Sequence, residues 1–304
     1  MRGGIVPDRT PLLRDTRANP CLLPVRHRTL AGMRIEMAGE AQRPDRVSED
    51  FAVATPEALV LLDGSSSPTA MESGCEHGTA WYARRLGVHL LARLVDRPDR
   101  TMAQCLSDAI AETASLHGAR CDLAHPNTPA AMVVAVRRRG AALQYLVLGD
   151  SLLVLDRFGS IAVIGDNQPF PAGEQLRREV HATSPGSPER MTLHMRYALA
   201  VRAARNTGHG PWIAAALPKA ADHAETGSVP LSELRAVAAL SDGATRYVER
   251  FDLGGWPETM KLLEERGPAE LLRRVREVEA TDVACARWPR GKARDDATVV
   301  YARL

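Results

Sequence analysis

Short apolar runs and apolar stripes at helical spacing alternate along the chain from residue 33 onward. Runs that are continuously apolar, or that alternate with polar residues, are typical of strands and occur at 34–38, 51–54 and 58–62. Apolar residues then recur at helical spacing, which predicts helices over about 76–94 and 102–116. This part of the chain is therefore predicted to form strands followed by two helices.

A second series of apolar runs begins after a loop at 122–129 that contains two prolines. Tight turns separate these runs, which predicts antiparallel strands at 130–136, 141–148, 151–155 and 160–164. Residues 166–230 show no regular pattern and are predicted to be irregular. The remaining pattern predicts a buried strand at 235–240, helices at 257–265 and 268–280, and a last strand at 297–303.

This order of elements fits an α+β fold in which two antiparallel sheets carry helices on their outer sides. A single domain is predicted over residues 33–304. Residues 1–32 are rich in arginine and proline and lack periodicity, so we predict a disordered N-terminal extension there. Met33 is a plausible alternative start of the chain.

Composition narrows the classes of partner. The net charge is +2 and aromatic residues make up 4% of the chain, which argues against a nucleic-acid partner. No segment approaches the roughly 18 consecutive apolar residues of a membrane span, so no membrane partner is expected. Five scattered cysteines, none paired at metal-ligand spacing, favour a reduced, cytoplasmic protein. Nine scattered histidines are interpreted as surface or core residues rather than ligands.

Four aspartates stand next to predicted strands. Asp63, Asp150 and Asp242 follow buried apolar runs, and Asp295 precedes the last one. Any one of them is more often a turn residue, but the four together predict carboxylates delivered to one place. Carboxylate oxygens suit Mg²⁺ or Mn²⁺, and the carbonyl of Gly64 could approach such an ion closely because glycine has no side chain.

These motifs resemble those of the metal-dependent serine/threonine protein phosphatases, the type 2C or PPM family. The resemblance runs over residues 33–304 and rests on five motifs in the family's order. They are Ser48-Glu49-Asp50, Asp63-Gly64, Gly149-Asp150-Ser151, Ser241-Asp242-Gly243 and Asp295-Asp296-Ala297-Thr298.

The resemblance implies a four-layer α/β/β/α sandwich with two Mn²⁺ or Mg²⁺ ions at one edge, and a third, weaker ion at Asp150. Asp63 would bridge the two ions, Asp242 and Asp295 would bind one, and the Gly64 carbonyl would contact the other. Glu49 and Asp50 would act through metal-bound water. A water activated by both ions would hydrolyse phosphoserine or phosphothreonine in a phosphorylated protein substrate.

The chain departs from the family at three places. Ser65-Ser66-Ser67-Pro68 replaces further glycines, and Ser65 stands where some members have a histidine. Asp45 occupies the usual position of the phosphate-binding arginine. Arg43 lies before it and Arg46 one residue after it, and we favour Arg46 for that role. Asp296 replaces an asparagine and either supports metal binding or faces solvent.

Two further questions stay open in the sequence. The basic run 287–294 is either a cationic rim that attracts phosphorylated segments or a solvated loop. The alternatives to a protein phosphatase are a catalytically impaired module that binds a phosphoprotein or partner, and a hydrolase of small phosphate esters.

Overall fold

The computed structural model describes residue 1 and residues 32–65, 72–165, 170–184 and 187–304. In these residues, ten strands form two five-stranded antiparallel sheets. The strands are β1 Arg34–Glu40, β2 Phe51–Ala54, β3 Ala58–Ser65, β4 Ala130–Arg139, β5 Ala142–Leu148, β6 Leu152–Asp156, β7 Ile161–Ile164, β8 Glu225–Pro230, β9 Ala236–Leu240 and β10 Ala297–Arg303. One sheet has the order β1-β10-β9-β6-β7 and the other β2-β3-β4-β5-β8.

Seven α-helices lie in the described residues, and five of them cover the outer faces of the two sheets. The seven are α1 Thr79–Asp96, α2 Met102–Ser115, α3 Pro171–Ala182, α4 Pro188–Ala204, α5 Asp242–Glu249, α6 Trp256–Arg266 and α7 Pro268–Thr281. Helices α1 and α2 pack on β3 and β4, and α5, α6 and α7 pack on β9 and β10. These layers confirm the predicted α/β/β/α sandwich.

Strand β3 shows why the central strands are continuously apolar. Val60 and Leu62 face the helices α1 and α2, whereas Leu59 and Leu61 belong to the core between the two sheets. Successive side chains of a strand point to opposite faces, and here both faces are covered. All four side chains are fully buried, so the strand needs no polar positions until it reaches Asp63.

The prediction of an irregular region at 166–230 is wrong. Helices α3 and α4 lie there, and β8 pairs with β5 at the edge of its sheet. Both helices begin at a proline, which breaks a helix interior but is favoured in the first turn. Strand β8, with the sequence ETGSVP, lacks an apolar run because it lies at an edge.

Other predicted elements are present with shifted ends. Helix α5, which begins at Asp242, was missed because Asp242-Gly243 is also typical of a turn. Residues 2–31 of the predicted extension and residues 66–68 of the serine-rich loop lie outside the described residues. Residues 32–304 form one compact unit. None of the helices described is both long and apolar enough to cross a membrane.

Candidate metal centre

Strand β3 and helix α5 bring two of the predicted ligands into contact. The backbone N–H of Asp242 donates to Oδ2 of Asp63 at 2.9 Å. The buried hydroxyl of Ser151 donates to the same oxygen at 3.4 Å. Because β3 belongs to one sheet and α5 follows β9 of the other, Asp63 joins the two sheets at one end of the sandwich.

The acidic side chains at this end repel one another electrostatically. Burial and the charges of Asp242, Asp50 and Asp150 hold the pKa of Asp63 well above its usual value. Burial together with Asp295 and Asp150 raises the pKa of Asp242 to about 8, although Arg246 acts in the opposite direction. Burial raises the pKa of Asp50 to about 7, against the hydroxyls of Thr298 and Ser241. We call Asp50, Asp63, Asp150, Asp242 and Asp295 the carboxylate centre.

This arrangement fits divalent cations. Carboxylates that are close enough to raise one another's pKa are costly unless a positive charge compensates them. One oxygen of Asp50, Oδ2, is buried without a hydrogen-bond partner among the described residues. Hard cations such as Mn²⁺ and Mg²⁺ prefer an all-oxygen ligand set of this kind.

Two cationic side chains hold the Asp295 carboxylate in position at the centre. Its carboxylate contacts Nη2 of Arg246 and Nζ of Lys292, each at 2.9 Å. Nη1 of Arg246 in turn contacts the buried carboxylate of Glu279 at 2.6 Å. Arg246 therefore orients the Asp295 carboxylate from helix α5.

Close packing of neighbouring backbone explains the glycine in each of the two Asp-Gly motifs. A Cβ atom on Gly64 would lie 2.5 Å from the carbonyl oxygen of Glu49, and one on Gly243 would lie 2.0 Å from that of Asp296. Neither neighbour can retreat easily because both contacts involve backbone atoms. Each glycine thus lets an acidic segment lie directly against the centre. The sequence analysis explained Gly64 only by the approach of its carbonyl to an ion.

Asp296 has a structural role that the sequence alternatives for it did not include. Its half-buried carboxylate accepts the backbone N–H of Glu49 at 2.9 Å and also the backbone N–H of Gln42. It therefore fastens the segment before β2 to the start of β10. Glu49, whose backbone it holds, lines the cleft at the centre, and Asp50 is buried beside it.

A cleft of about 660 Å³ opens over the carboxylate centre, and the exposed Arg46 lines it. Arg43 and Asp45 instead pair with each other at 2.6 Å. Asp63, Gly64, Asp150, Asp242 and Asp295 all line the same cleft. The structure thus brings together the residues predicted from the sequence, with the buried Asp50 behind them.

Helices α3 and α4 supply cleft residues that sequence reasoning missed. Their contributions are Arg177, Arg190, His194, Tyr197 and Arg202. Met191, Met195 and Leu199 recur every four residues along α4, and this spacing could have revealed the helix. The cleft is therefore richer in cationic side chains than the sequence motifs alone indicated.

Arg290 and Lys292 of the basic run 287–294 both line the cleft, but they differ in burial. Arg290 is buried within its own loop, where its guanidinium pairs with Asp282 at 2.7 Å. Lys292 lies at the cleft and contacts Asp295. Residues 289–292 of the run therefore line the cleft.

Comparison with known proteins identifies the family to which the chain belongs. The sequence matches the protein phosphatase 2C family over residues 41–277. The chain belongs to this family, which confirms both the resemblance and the predicted enzyme class, a serine/threonine protein phosphatase. No curated protein sequence matches the chain.

Solved structures support the fold. The catalytic domain of the serine/threonine protein phosphatase PstP in complex with two manganese ions is 19% identical, with a TM-score of 0.52 over 90% of this chain and 98% of that one. MsPP from Mycobacterium smegmatis, in complex with cacodylate, is 17% identical, with a TM-score of 0.51 over 90% and 99%. PppA of Pseudomonas aeruginosa is 15% identical, with a TM-score of 0.52 over 90% and 97%.

Proposed function

We propose that this protein hydrolyses phosphoserine and phosphothreonine in protein substrates and that two Mn²⁺ or Mg²⁺ ions support the reaction. The observation that carries the proposal is the hydrogen bond from the backbone N–H of the half-buried Asp242 to the buried carboxylate of Asp63, because the pKa values of both acids are raised by desolvation and by neighbouring carboxylates. Membership of the protein phosphatase 2C family and the two manganese ions of PstP support the same function.

The proposed ligands follow the family pattern. Asp63, Asp242, Asp295 and the Gly64 carbonyl are proposed to hold the two ions. Glu49 and Asp50 would act through water, and Asp150 would bind a third ion. When bound, such ions supply Lewis-acid activation of water and neutralise charge on the phosphoryl group.

The protein's own residues would position the substrate and the ligands. Arg46 is proposed to bind the phosphate at the cleft, and Lys292 lies in the same cleft beside Asp295. Arg246 would keep the Asp295 carboxylate oriented through their ion pair. Asp296 would hold Glu49 in place through its backbone N–H.

The experiment that tests this function compares substrates. We expect the purified protein with Mn²⁺ to have a higher kcat/KM on a phosphothreonine peptide than on p-nitrophenyl phosphate or small phosphorylated metabolites. Faster turnover of small metabolites would show instead that the protein is a hydrolase of small phosphate esters. A folded protein that binds the peptide without turning it over would be the catalytically impaired module.

A further inference from the structure

Two loops outside the cleft bring three metal-ligating side chains together. Cys75 and His77 precede helix α1, and Cys121 follows helix α2. The sulfur of Cys121 lies 3.8 Å from the sulfur of Cys75 and 3.4 Å from Nδ1 of His77. The sulfur of Cys75 lies 3.7 Å from the same nitrogen. We call these three residues the Cys/His cluster.

The spacing of the three donor atoms matches a tetrahedral zinc site. With Zn–S bonds of about 2.3 Å and Zn–N bonds of about 2.0 Å, tetrahedral angles place two sulfurs about 3.8 Å apart and a sulfur about 3.5 Å from a nitrogen. The observed distances are 3.8 Å between the sulfurs and 3.4 and 3.7 Å from sulfur to nitrogen. A disulfide, in contrast, needs the sulfurs about 2.05 Å apart.

The loops that carry these donors are fastened to each other independently of any ion. The backbone N–H of Asp122 donates to the carbonyl of Gly74 at 2.7 Å, and the side-chain amide of Asn127 donates to the carbonyl of Glu72 at 3.1 Å. The backbone N–H of His77 also donates to the Cys75 sulfur at 3.3 Å. The donor atoms are therefore held near their ligand positions in advance.

His117 lies beside the cluster, but its ring nitrogens are more than 4.8 Å from at least one of the three donor atoms, so its ring would have to move to take the fourth position. Its Nδ1 lies 3.1 Å from the carbonyl oxygen of Thr113, whereas its Nε2 is buried with no hydrogen-bond partner in the described part of the chain. Its ring meets that of His77 edge-on, with centroids 5.3 Å apart. Metal-binding histidines commonly donate a hydrogen bond from one ring N–H to a carbonyl, which leaves the other ring nitrogen available to bind the metal.

We propose that Cys75, His77 and Cys121 bind a Zn²⁺-type cation, with His117 or a water molecule as the fourth ligand. Thiolate and imidazole donors select softer cations than the oxygen donors of the carboxylate centre. The ion would join the loop before α1 to the loop after α2. Thr79, at the start of α1, lies 2.8 Å from where a Gly64 Cβ would be, so the same segment borders the carboxylate centre.

The direct test is a Co²⁺ titration of the full-length, reduced, chelator-treated protein. We expect a thiolate-to-cobalt charge-transfer band and intense tetrahedral d–d bands that saturate at one ion per chain, and we expect Zn²⁺ to bleach them. Oxygen donors give no thiolate band, so the Asp63→Asn variant should keep it. This separates the Cys/His cluster from the carboxylate centre, whether or not the proposed function holds.

Matched cysteine variants assign the ligands. Cys75→Ser and Cys121→Ser should each lose the thiolate band, whereas Cys285→Ser, at another half-buried cysteine, should keep it. The absence of the band in folded, reduced wild-type protein would overturn the proposal. So would a Cys75–Cys121 disulfide in protein alkylated at lysis, or persistence of the band in both cluster variants.

A second measurement covers variants that fail to fold. X-ray absorption at the zinc edge of the wild-type protein, loaded with one equivalent of Zn²⁺, should show two sulfur neighbours at about 2.3 Å with nitrogen or oxygen neighbours at about 2.0 Å. A first shell of oxygen and nitrogen alone would contradict the site.

Discussion

The carboxylate centre and the Cys/His cluster differ in their donors and in the elements that carry them. The first gathers charged oxygens at the ends of strands from both sheets, where burial and mutual repulsion raise the pKa values of Asp63 and Asp242. The second gathers two thiols and an imidazole on loops that flank α1 and α2. A site of the first kind suits exchangeable hard cations and reaction chemistry, whereas the second suits a tightly held structural ion.

The largest expected effect is the loss of activity in Asp242→Asn. An amide cannot replace the carboxylate charge at a proposed ligand, so we expect kcat/KM on a phosphothreonine peptide to fall by more than about 100-fold. The exposed Asp252→Asn, the same change outside the cleft, should remain active. Equal activity of Asp242→Asn and wild type, measured on purified folded proteins, would remove Asp242 from the centre.

A smaller effect is expected for Arg46→Ala, which removes a cation from the cleft. We expect kcat/KM for the peptide to fall about 10-fold, the typical result of losing a charged hydrogen bond to phosphate. Arg43→Ala is the matched control, because Arg43 pairs with Asp45 and does not line the cleft. Similar losses of kcat/KM in both variants would mean that another side chain binds the phosphate.

The raised pKa values predict how the metal-free protein responds to pH. The pKa of Asp50 is about 7 and that of Asp242 about 8, against a usual value of 3.8. Folding therefore favours their protonated forms, and this stability is lost as pH rises through the folded-state values. In chelator, the melting temperature should fall between pH about 5 and about 8.

Two comparisons sharpen this pH prediction. Saturating Mn²⁺ should reduce the fall, because bound cations stabilise the ionised folded state. Asp242→Asn should also show a smaller fall in chelator, since the amide does not ionise. A melting temperature that rises with pH in chelator would contradict the electrostatic description of the centre.

The smallest effect on turnover is expected at the Cys/His cluster. With Zn²⁺ and Mn²⁺ present, Cys121→Ser should have a melting temperature several degrees below wild type, because the two loops are no longer joined by an ion. Its kcat should stay within about twofold of wild type, because none of the three residues of the Cys/His cluster lines the cleft. If the melting temperature matches that of Cys285→Ser, the ion does not stabilise the fold.

The same two sites show which features the sequence predicts. Asp63, Asp150 and Asp242 follow buried runs, so their strand-end positions and their convergence were predicted from a local pattern. Cys121 and His77 are 44 residues apart and meet only because α1 and α2 pair as a helical hairpin. No local spacing records that contact, so the sequence interpretation, in which the cysteines were scattered and the histidines were surface or core residues, could not include it.

Helices α3 and α4 were missed for a different reason. A pattern search treats Pro171 and Pro188 as breaks, although proline suits the first turn of a helix. Much of α4 is exposed, so the contrast between buried and exposed faces is weak there. The cationic residues of the cleft that these helices carry were therefore absent from the predicted site.

The central claim is tested most directly by adding Mn²⁺ or Mg²⁺ to the chelator-treated protein and following hydrolysis of a phosphothreonine peptide. We predict no turnover in chelator and saturable recovery with either ion, with the same Mn²⁺ dependence in Cys121→Ser as in wild type. Full turnover in chelator, or none with either ion from a folded protein, would contradict a metal-dependent phosphatase centred on Asp63 and Asp242.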